Sequence, residues 1–337
     1  METKEIKNII IGFGKGGKTL AKFLATKGEE VLVIEKSNQM YGGTCINIAC
    51  LPSKRLIIEA ANGVEFTDAI NGKNDMTAFL RNANYHMLAD EKTVTVLDGT
   101  AKFLNNHEIE VTKQDGTKDH YRGKRIFINT GALPNYAPIP GLADSTKVIN
   151  STEAMDQTKM PKTLTIIGSG YIGLEFANMF SNYGTQVTVL DVHSDFLSRE
   201  DDDISQMIKQ DLENTGIKFE LGVKINRVED DTVFYEKNGQ ELSIKADRIL
   251  AATGRKPNTE NLGLENTDIQ LTDRGAIKVD DHLLTSVPNV WAIGDVKGGP
   301  QFTYISLDDY RIIKDQLFGS GKRVVSDRIN IPYSVFI

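Results

Sequence analysis

Two stretches of this chain follow one pattern. KNIIIGFGKGGKTLAKFLATKGEEVLVIE and KTLTIIGSGYIGLEFANMFSNYGTQVTVLD each read as apolar strand, glycine-rich turn, helix and second strand. Gly12, Gly14 and Gly17 make a G-x-G-x-x-G directly after Ile9-Ile10-Ile11, and Gly168, Gly170 and Gly173 do so after Leu164-Thr165-Ile166-Ile167. Each second strand ends in an acid at the same offset: Glu35 stands 23 positions after Gly12, and Asp191 stands 23 after Gly168. The first glycine permits a tight turn, the second lets backbone approach a pyrophosphate, and the third packs helix on strand. The helix N-terminus then faces the phosphates with partial positive charge, and the acid can accept from ribose hydroxyls. One such motif is a weak signal, because glycine-rich turns precede many helices. Two copies with matching flanks predict two dinucleotide sites.

Only two cysteines occur, and both lie in GGTCINIACLPSK, Gly42–Lys54. Cys45 and Cys50 could form a staple, half a metal site or a redox pair. The start METKEIKNIIIGFG runs straight into a strand with no cleavage site, so no signal peptide is expected and a cytoplasmic setting is read. Thiols there are kept reduced, which weakens the staple. No second ligand group of zinc-site spacing exists, so no metal is expected. The segment begins a few residues after Glu35, which ties it to the first nucleotide turn. A flavin can pass an electron pair to a disulfide where nicotinamide needs an intermediary. FAD is therefore assigned to the first copy and NAD(P)H to the second. Asp191 would repel a 2′-phosphate and no arginine stands beside it, so NADH is favoured, with NADPH possible. A net charge of −7 argues against a nucleic-acid partner, and no apolar run reaches the ~18–20 residues of a membrane helix.

The rest of the chain fits an α/β protein with two Rossmann-like nucleotide-binding domains, parallel sheets and antiparallel β-meander inserts. DMTAFLRNANYHMLADEK has helical spacing, and VTVLDGTAKFLNNHEIEVTKQDGTKDHYRGKRIFINTGA alternates between Asp-Gly and Asn-Asn turns. DDISQMIKQDLENTG reads as a helix ending at Gly216, with Glu200–Asp203 as solvated acids at its start rather than a metal site. In VPNVWAIGDVKGG, a strand feeds Gly294 and Asp295; that aspartate suits a flavin ribityl chain and equally a plain turn. The helix of FTYISLDDYRIIKDQLFG is expected to follow at once.

Taken in order, GFGKGG, GGTCINIACLPSK, INTGA, GSGYIGLE, ATGRKPN and WAIGDV resemble the pyridine nucleotide–disulfide oxidoreductases over essentially the whole chain. Within that group, MYGGTCINIACLPSK and QFTYISLDDYRII look most like the bacterial hypothiocyanite reductases and reactive-chlorine-resistance flavoproteins, and the His-x-Ala of thiol-reducing relatives is absent. The resemblance implies reduction of hypothiocyanite to thiocyanate, or of copper(II) to copper(I). It implies that Cys45 is the interchange thiol, that Cys50 makes the flavin charge-transfer contact, and that Lys54 sits by the flavin paired with Glu175. It places Gly43, Thr44, Thr130, Gly131, Gly294 and Asp295 on FAD and Gly254 on NAD(P)H. It implies a FAD domain in two segments, 1–149 and 273–337, around an NAD(P)H domain at 150–272. Two departures stand out: Ala49 replaces the usual glycine, and the chain stops at NIPYSVFI, before the third domain through which full-length relatives form homodimers. None of the five histidines is followed by proline, so no general acid for disulfide exchange is visible. The partner expected is a small-molecule oxidant. Alternatives are a dihydrolipoamide dehydrogenase-like disulfide reductase and a non-catalytic, redox-sensing flavin module.

The cysteine spacing carries its own constraint. Residues five apart in a helix are roughly 7.5 Å apart along the axis and point away from each other, whereas a disulfide wants Cα atoms about 4.4–6.8 Å apart. If the two bond, the segment cannot be regular helix between them. A distorted turn is expected, with helix resuming through Ser53-Lys54-Arg55.

Overall fold

The computed structural model describes residues 2–337. The first copy of the pattern forms strand β1 (Thr3–Ile11), helix α1 (Lys15–Thr26) and strand β2 (Val31–Glu35). Helices α2 (Thr44–Asn47), α3 (Cys50–Ala61) and α4 (Phe66–Ala89) follow, then strands β3 (Val94–Asp98), β4 (Thr100–Phe103), β5 (Glu108–Thr112), β6 (Lys118–Ile128) and β7 (Ala132–Pro134). The first sheet runs β3-β2-β1-β6-β5-β4. Its pairs are parallel from β3 to β6 and antiparallel from β6 through β5 to β4, the expected meander. Side chains alternate faces along a strand: Ile9, Ile11, Leu32 and Ile34 enter one core, while Ile10, Val31 and Val33 enter the other. Burial on both faces explains why these strands are unbroken apolar runs.

The second copy repeats this. After β8 (Val148–Ile149) and α5 (Ser151–Met155) come β9 (Thr163–Ile167), α6 (Tyr171–Asn182), β10 (Gln186–Asp191), α7 (Asp202–Asn214) and β11 (Lys218–Leu221). The antiparallel strands β12 (Lys224–Glu229), β13 (Thr232–Lys237) and β14 (Gln240–Lys245) precede β15 (Arg248–Ala251) and β16 (Arg255–Pro257). The parallel sheet runs β11-β10-β9-β15-β8. Leu164, Ile166, Val187 and Val189 fill the core on one side, and Ile167, Leu190, Ile249 and Ala251 that on the other.

The chain then returns to the first sheet. Strand β17 (Val290–Ala292) pairs in parallel with β6, its Trp291 stacked 5.0 Å from Phe127, and helix α8 (Thr303–Phe318) packs on α1. Helix α8 does not follow Gly294-Asp295 directly: a 3₁₀ turn, Gly294–Lys297, and the segment 298–302 intervene. Two compact units result, one of residues 1–47, 78–133 and 256–332, the other of residues 48–77, 134–255 and 333–337. The fold is α/β, built on two Rossmann-like nucleotide-binding sheets. Among the described residues no helix is long and apolar enough to cross a membrane.

Candidate active site

The two glycine turns are built alike. Gly12 has φ +101° and Gly168 φ +108°. A Cβ on Gly12 would meet the Asn129 carbonyl oxygen at 2.4 Å, and one on Gly168 the Ala252 carbonyl oxygen at 2.5 Å. Each turn is thus pressed on the strand end beside it. Gly14 and Gly170 cap α1 and α6 with nearly equal angles (φ −69°, ψ 174° and φ −71°, ψ 175°), and neither cap residue supplies a side-chain bond of its own. Space around Gly170 is open to 4 Å. Glycine turns leading into helix starts suit pyrophosphate. At α1 the Gly16 and Gly17 amides are already held by Ser306 and Asn129, so a pyrophosphate there would lie on the Gly14 backbone and the Lys15 amide, and the residues present fit a dinucleotide at both turns.

The strand-end acids work on their own turns. The amides of Phe13 and Ser37 donate to Glu35 at 2.9 and 3.2 Å. The Ser169 amide and hydroxyl donate to Asp191 Oδ2, both at 2.6 Å, and the His193 amide to Oδ1 at 2.9 Å. Desolvation pushes the Glu35 carboxyl above its usual range, against the pull of its amide donors and with help from Asp98. In both copies the acid braces the residue after the first glycine, a duty the sequence pattern did not announce.

Within the first unit, Asn129 and Asn258 organise the turn's surroundings. Asn129 Oδ1 accepts from the Gly17 amide at 2.9 Å, and its Nδ2 donates to the Ile293 carbonyl at 2.8 Å. The Thr130 hydroxyl donates to the Asn258 carbonyl at 2.8 Å, and the Asn258 amide to the Gly131 carbonyl at 2.9 Å. INTGA and the Asn258 end of ATGRKPN are therefore one structural feature; Gly254, from the same motif, belongs to the second unit and accepts from the Asn135 amide. The Gly294 amide donates at 2.7 Å to Asp309, which is fully buried and also bound by Arg328. Asp295 lies in the 3₁₀ turn that follows β17.

The cysteine segment breaks at the distorted turn expected of it. Helix α2 ends at Asn47, Ile48 and Ala49 are non-helical, and α3 starts at Cys50, with Ala49 at φ −146°, ψ −106°. The second helix begins three residues earlier than expected. Pro52 sits in its first turn, where the missing N–H would have no helical partner anyway. Both cysteines are half-buried. Gly42 and Gly43 have φ +95° and +84°, and a Cβ on Gly43 would come within 2.7 Å of Gly14 Cα, so this turn lies against the first glycine turn and carries Thr44 and Cys45 with it.

Within the second unit, Lys54 on α3 donates to both Glu175 oxygens on α6, at 2.7 and 2.5 Å. Glu175 keeps 7% of its side chain exposed and Lys54 24%. The Phe336 amide donates to Glu175 at 3.2 Å, and Lys54 Nζ stands 5.3 Å from the Phe336 ring centre. Tyr333 stacks on Tyr171, the first residue of α6, at 5.1 Å and bonds Glu200. Lys54→Met would leave a buried carboxylate without its ammonium. Because Lys54 is partly exposed, the expected cost is about 2–3 kcal/mol rather than the 3–5 of a fully buried pair. Chemical denaturation should show this loss, most of it recovered in Lys54→Met/Glu175→Gln.

The model of the pyridine nucleotide-disulphide oxidoreductase family matches residues 6–309. The chain belongs to that family. Members use FAD with a pyridine nucleotide as electron donor, and this chain is a flavoprotein disulfide oxidoreductase of the same kind. It is 47% identical over 329 residues to the probable pyridine nucleotide-disulfide oxidoreductase RclA of Escherichia coli K12, covering 98% of this chain and 74% of RclA. To the dihydrolipoyl dehydrogenase of Geobacillus stearothermophilus it is 32% identical, covering 98% and 73%. The solved Cu(II) complex of the HOCl-induced flavoprotein disulfide reductase RclA from E. coli superposes with a TM-score of 0.94 at 46% identity, covering all of this chain and 76% of that one.

Proposed function

We propose that this chain reduces hypothiocyanite to thiocyanate with electrons from NADH, in a cytoplasmic setting, with Cys45 and Cys50 as its exchange thiols. Bound FAD supplies the conversion of a nicotinamide hydride into an electron pair that a disulfide can accept. The observation that carries the reading is the cysteine segment itself: two thiols either side of a helix break, the first on α2, two residues after a Gly43 pressed against Gly14. Gly12, Gly14, Gly17 and Glu35 would shape the FAD turn, with Gly43, Thr44, Thr130, Gly131, Gly294 and Asp295 around it. Gly168, Gly170, Gly173, Asp191 and Gly254 would serve the nicotinamide dinucleotide.

The Cys45 thiolate attacks the electrophilic sulfur of hypothiocyanite. An S–S bond forms, the S–O bond breaks, and hydroxide leaves to take up a proton as water. The Cys50 thiolate then attacks the Cys45 sulfur, closing the disulfide and releasing thiocyanate. The dithiol loses two electrons and the oxidant gains them. Thiocyanate leaves as a stable anion without a proton, whereas the departing oxygen must take one up as the S–O bond breaks, and with no His-Pro pair in this chain solvent water would supply it. The partner proposed is a small-molecule oxidant, and the net charge of −7 argues against nucleic acid.

Copper(II) is the second reading, favoured by the solved Cu(II) complex of the E. coli relative; the dithiol would then reduce two copper(II) ions to copper(I). A steady-state panel of hypothiocyanite, copper(II), lipoamide and glutathione disulfide, each with NADH and NADPH, separates these. Hypothiocyanite should lead in kcat/KM by at least about tenfold, and NADH should be preferred because the Asp191 carboxylate would repel a 2′-phosphate. A lead for copper(II) or lipoamide overturns the oxidant assignment, and a preference for NADPH overturns the role of Asp191.

A further inference from the structure

Lys18, the fourth residue of α1, is the wrong kind of residue for its place. It is 5% exposed. Its ammonium donates to the Gly42 carbonyl at 3.1 Å and to Asn84 Oδ1 at 2.5 Å, both neutral acceptors. Among the described residues no carboxylate pairs with it. A buried ammonium without a counter-charge is costly, and an apolar side chain of similar volume would ordinarily hold a helix down better. The cost is visible: burial, then the neighbouring Lys15 charge, pull the Lys18 pKa from 10.5 to about 8, while the Cys45 charge pushes the other way.

That last influence is reciprocal. Whatever Cys45 thiolate does to favour the ammonium, the ammonium does to favour the thiolate. The geometry adds position to charge. Gly42, whose carbonyl Lys18 holds, opens the left-handed Gly42-Gly43 turn, and Cys45 comes three residues later on the same short stretch. We propose that Lys18 is a positioning residue for Cys45, clamping the Gly42-Gly43 turn and supplying the positive field that keeps Cys45 a thiolate. The groups known to act on it are Lys15 on its own helix, Cys45 on α2 and the neutral Asn84 on α4. The inference rests on the reading of Cys45 as a working thiolate, but not on which oxidant it meets.

With two cysteines in the chain, Cys50→Ser leaves Cys45 as the single alkylation target. The flavin-loaded Cys50→Ser protein, reduced beforehand, is treated with iodoacetamide across pH 5–10 and the intact mass followed. Adding Lys18→Met should raise the midpoint of the rate–pH profile by about one unit or more and slow alkylation at pH 7 about tenfold, while Lys18→Arg should restore most of the rate. Asn84→Asp places a carboxylate on the ammonium without emptying the site, and should shift the midpoint the same way by a smaller amount. It also decides the matter if Lys18→Met does not fold.

Unchanged midpoints in the charge-altering variants that fold, with only the melting temperature lowered, would make Lys18 a mechanical clip and overturn the proposal. A midpoint already near the ordinary thiol value of about 8.5 in Cys50→Ser alone overturns it as well. No oxidant or turnover enters the measurement, so a wrong substrate assignment leaves these outcomes untouched.

Discussion

Cys45→Ser is expected to lower steady-state turnover with hypothiocyanite on the order of a thousandfold or more, while leaving the fold and bound flavin in place. Serine occupies slightly less space than cysteine at a half-buried position, so packing changes little. Its hydroxyl, however, is not ionised near neutrality and makes no disulfide. Cys50→Ser fails differently. The reduced protein should consume one equivalent of hypothiocyanite, gain the mass of an –SCN group on Cys45 and stop, because no second thiol expels thiocyanate. Rapid-quench mass spectrometry of the two variants distinguishes these outcomes, and a Cys45→Ser protein that still turns over would sink the thiol route.

The second large effect separates the two nucleotide sites. Gly12→Ala and Gly168→Ala impose the same insult on equivalent turns: a methyl within 2.4 or 2.5 Å of a carbonyl oxygen, on backbone with φ above +100°. Such strain costs about 1–3 kcal/mol before the turn moves, and each ~1.4 kcal/mol is tenfold in affinity. Gly12→Ala should therefore yield protein largely stripped of flavin but still able to bind NADH. Gly168→Ala should retain flavin and weaken NADH binding about ten- to a hundredfold. Flavin absorbance after gel filtration, together with NADH binding by calorimetry, reads both. The reverse pattern would exchange the cofactor assignments of the two halves.

What could be read in advance divides along physical lines. Strand–turn–helix units were legible because glycine spacing has few structural solutions, and the helix break between the cysteines because a redox pair that is to bond cannot stand five apart in a regular helix. The start of α4 was not. FTDAINGKND carries Gly72 in its interior, which reads as a turn and costs about 1 kcal/mol in a helix relative to alanine. The structure supplies the reason: a Cβ there would meet the Arg55 guanidinium at 2.3 Å, so the glycine makes room for α3. Lys18 was illegible for a different reason. A lysine on a helix defaults to solvent, and only the packing of α4 and the Gly42 turn around it shows otherwise. Glu35 and Asp191 were placed correctly by pattern, yet their bonds to the turn amides depend on backbone directions that spacing does not encode.

The seam between α1 and α8 bears on how the protein is made. The Gly16 amide is satisfied by the Ser306 hydroxyl, 290 residues further on, and Asn129 holds the Ile293 carbonyl across 164 residues. At synthesis rates of about 5–20 residues per second, the first glycine turn waits roughly 15–60 s on the ribosome for the segment that closes it. Until then the 126–128 end of β6, paired with β1 on one side, lacks its β17 neighbour on the other. Flavin capture is thus a late event in the life of the nascent chain, although the motif that begins it is among the first residues to emerge.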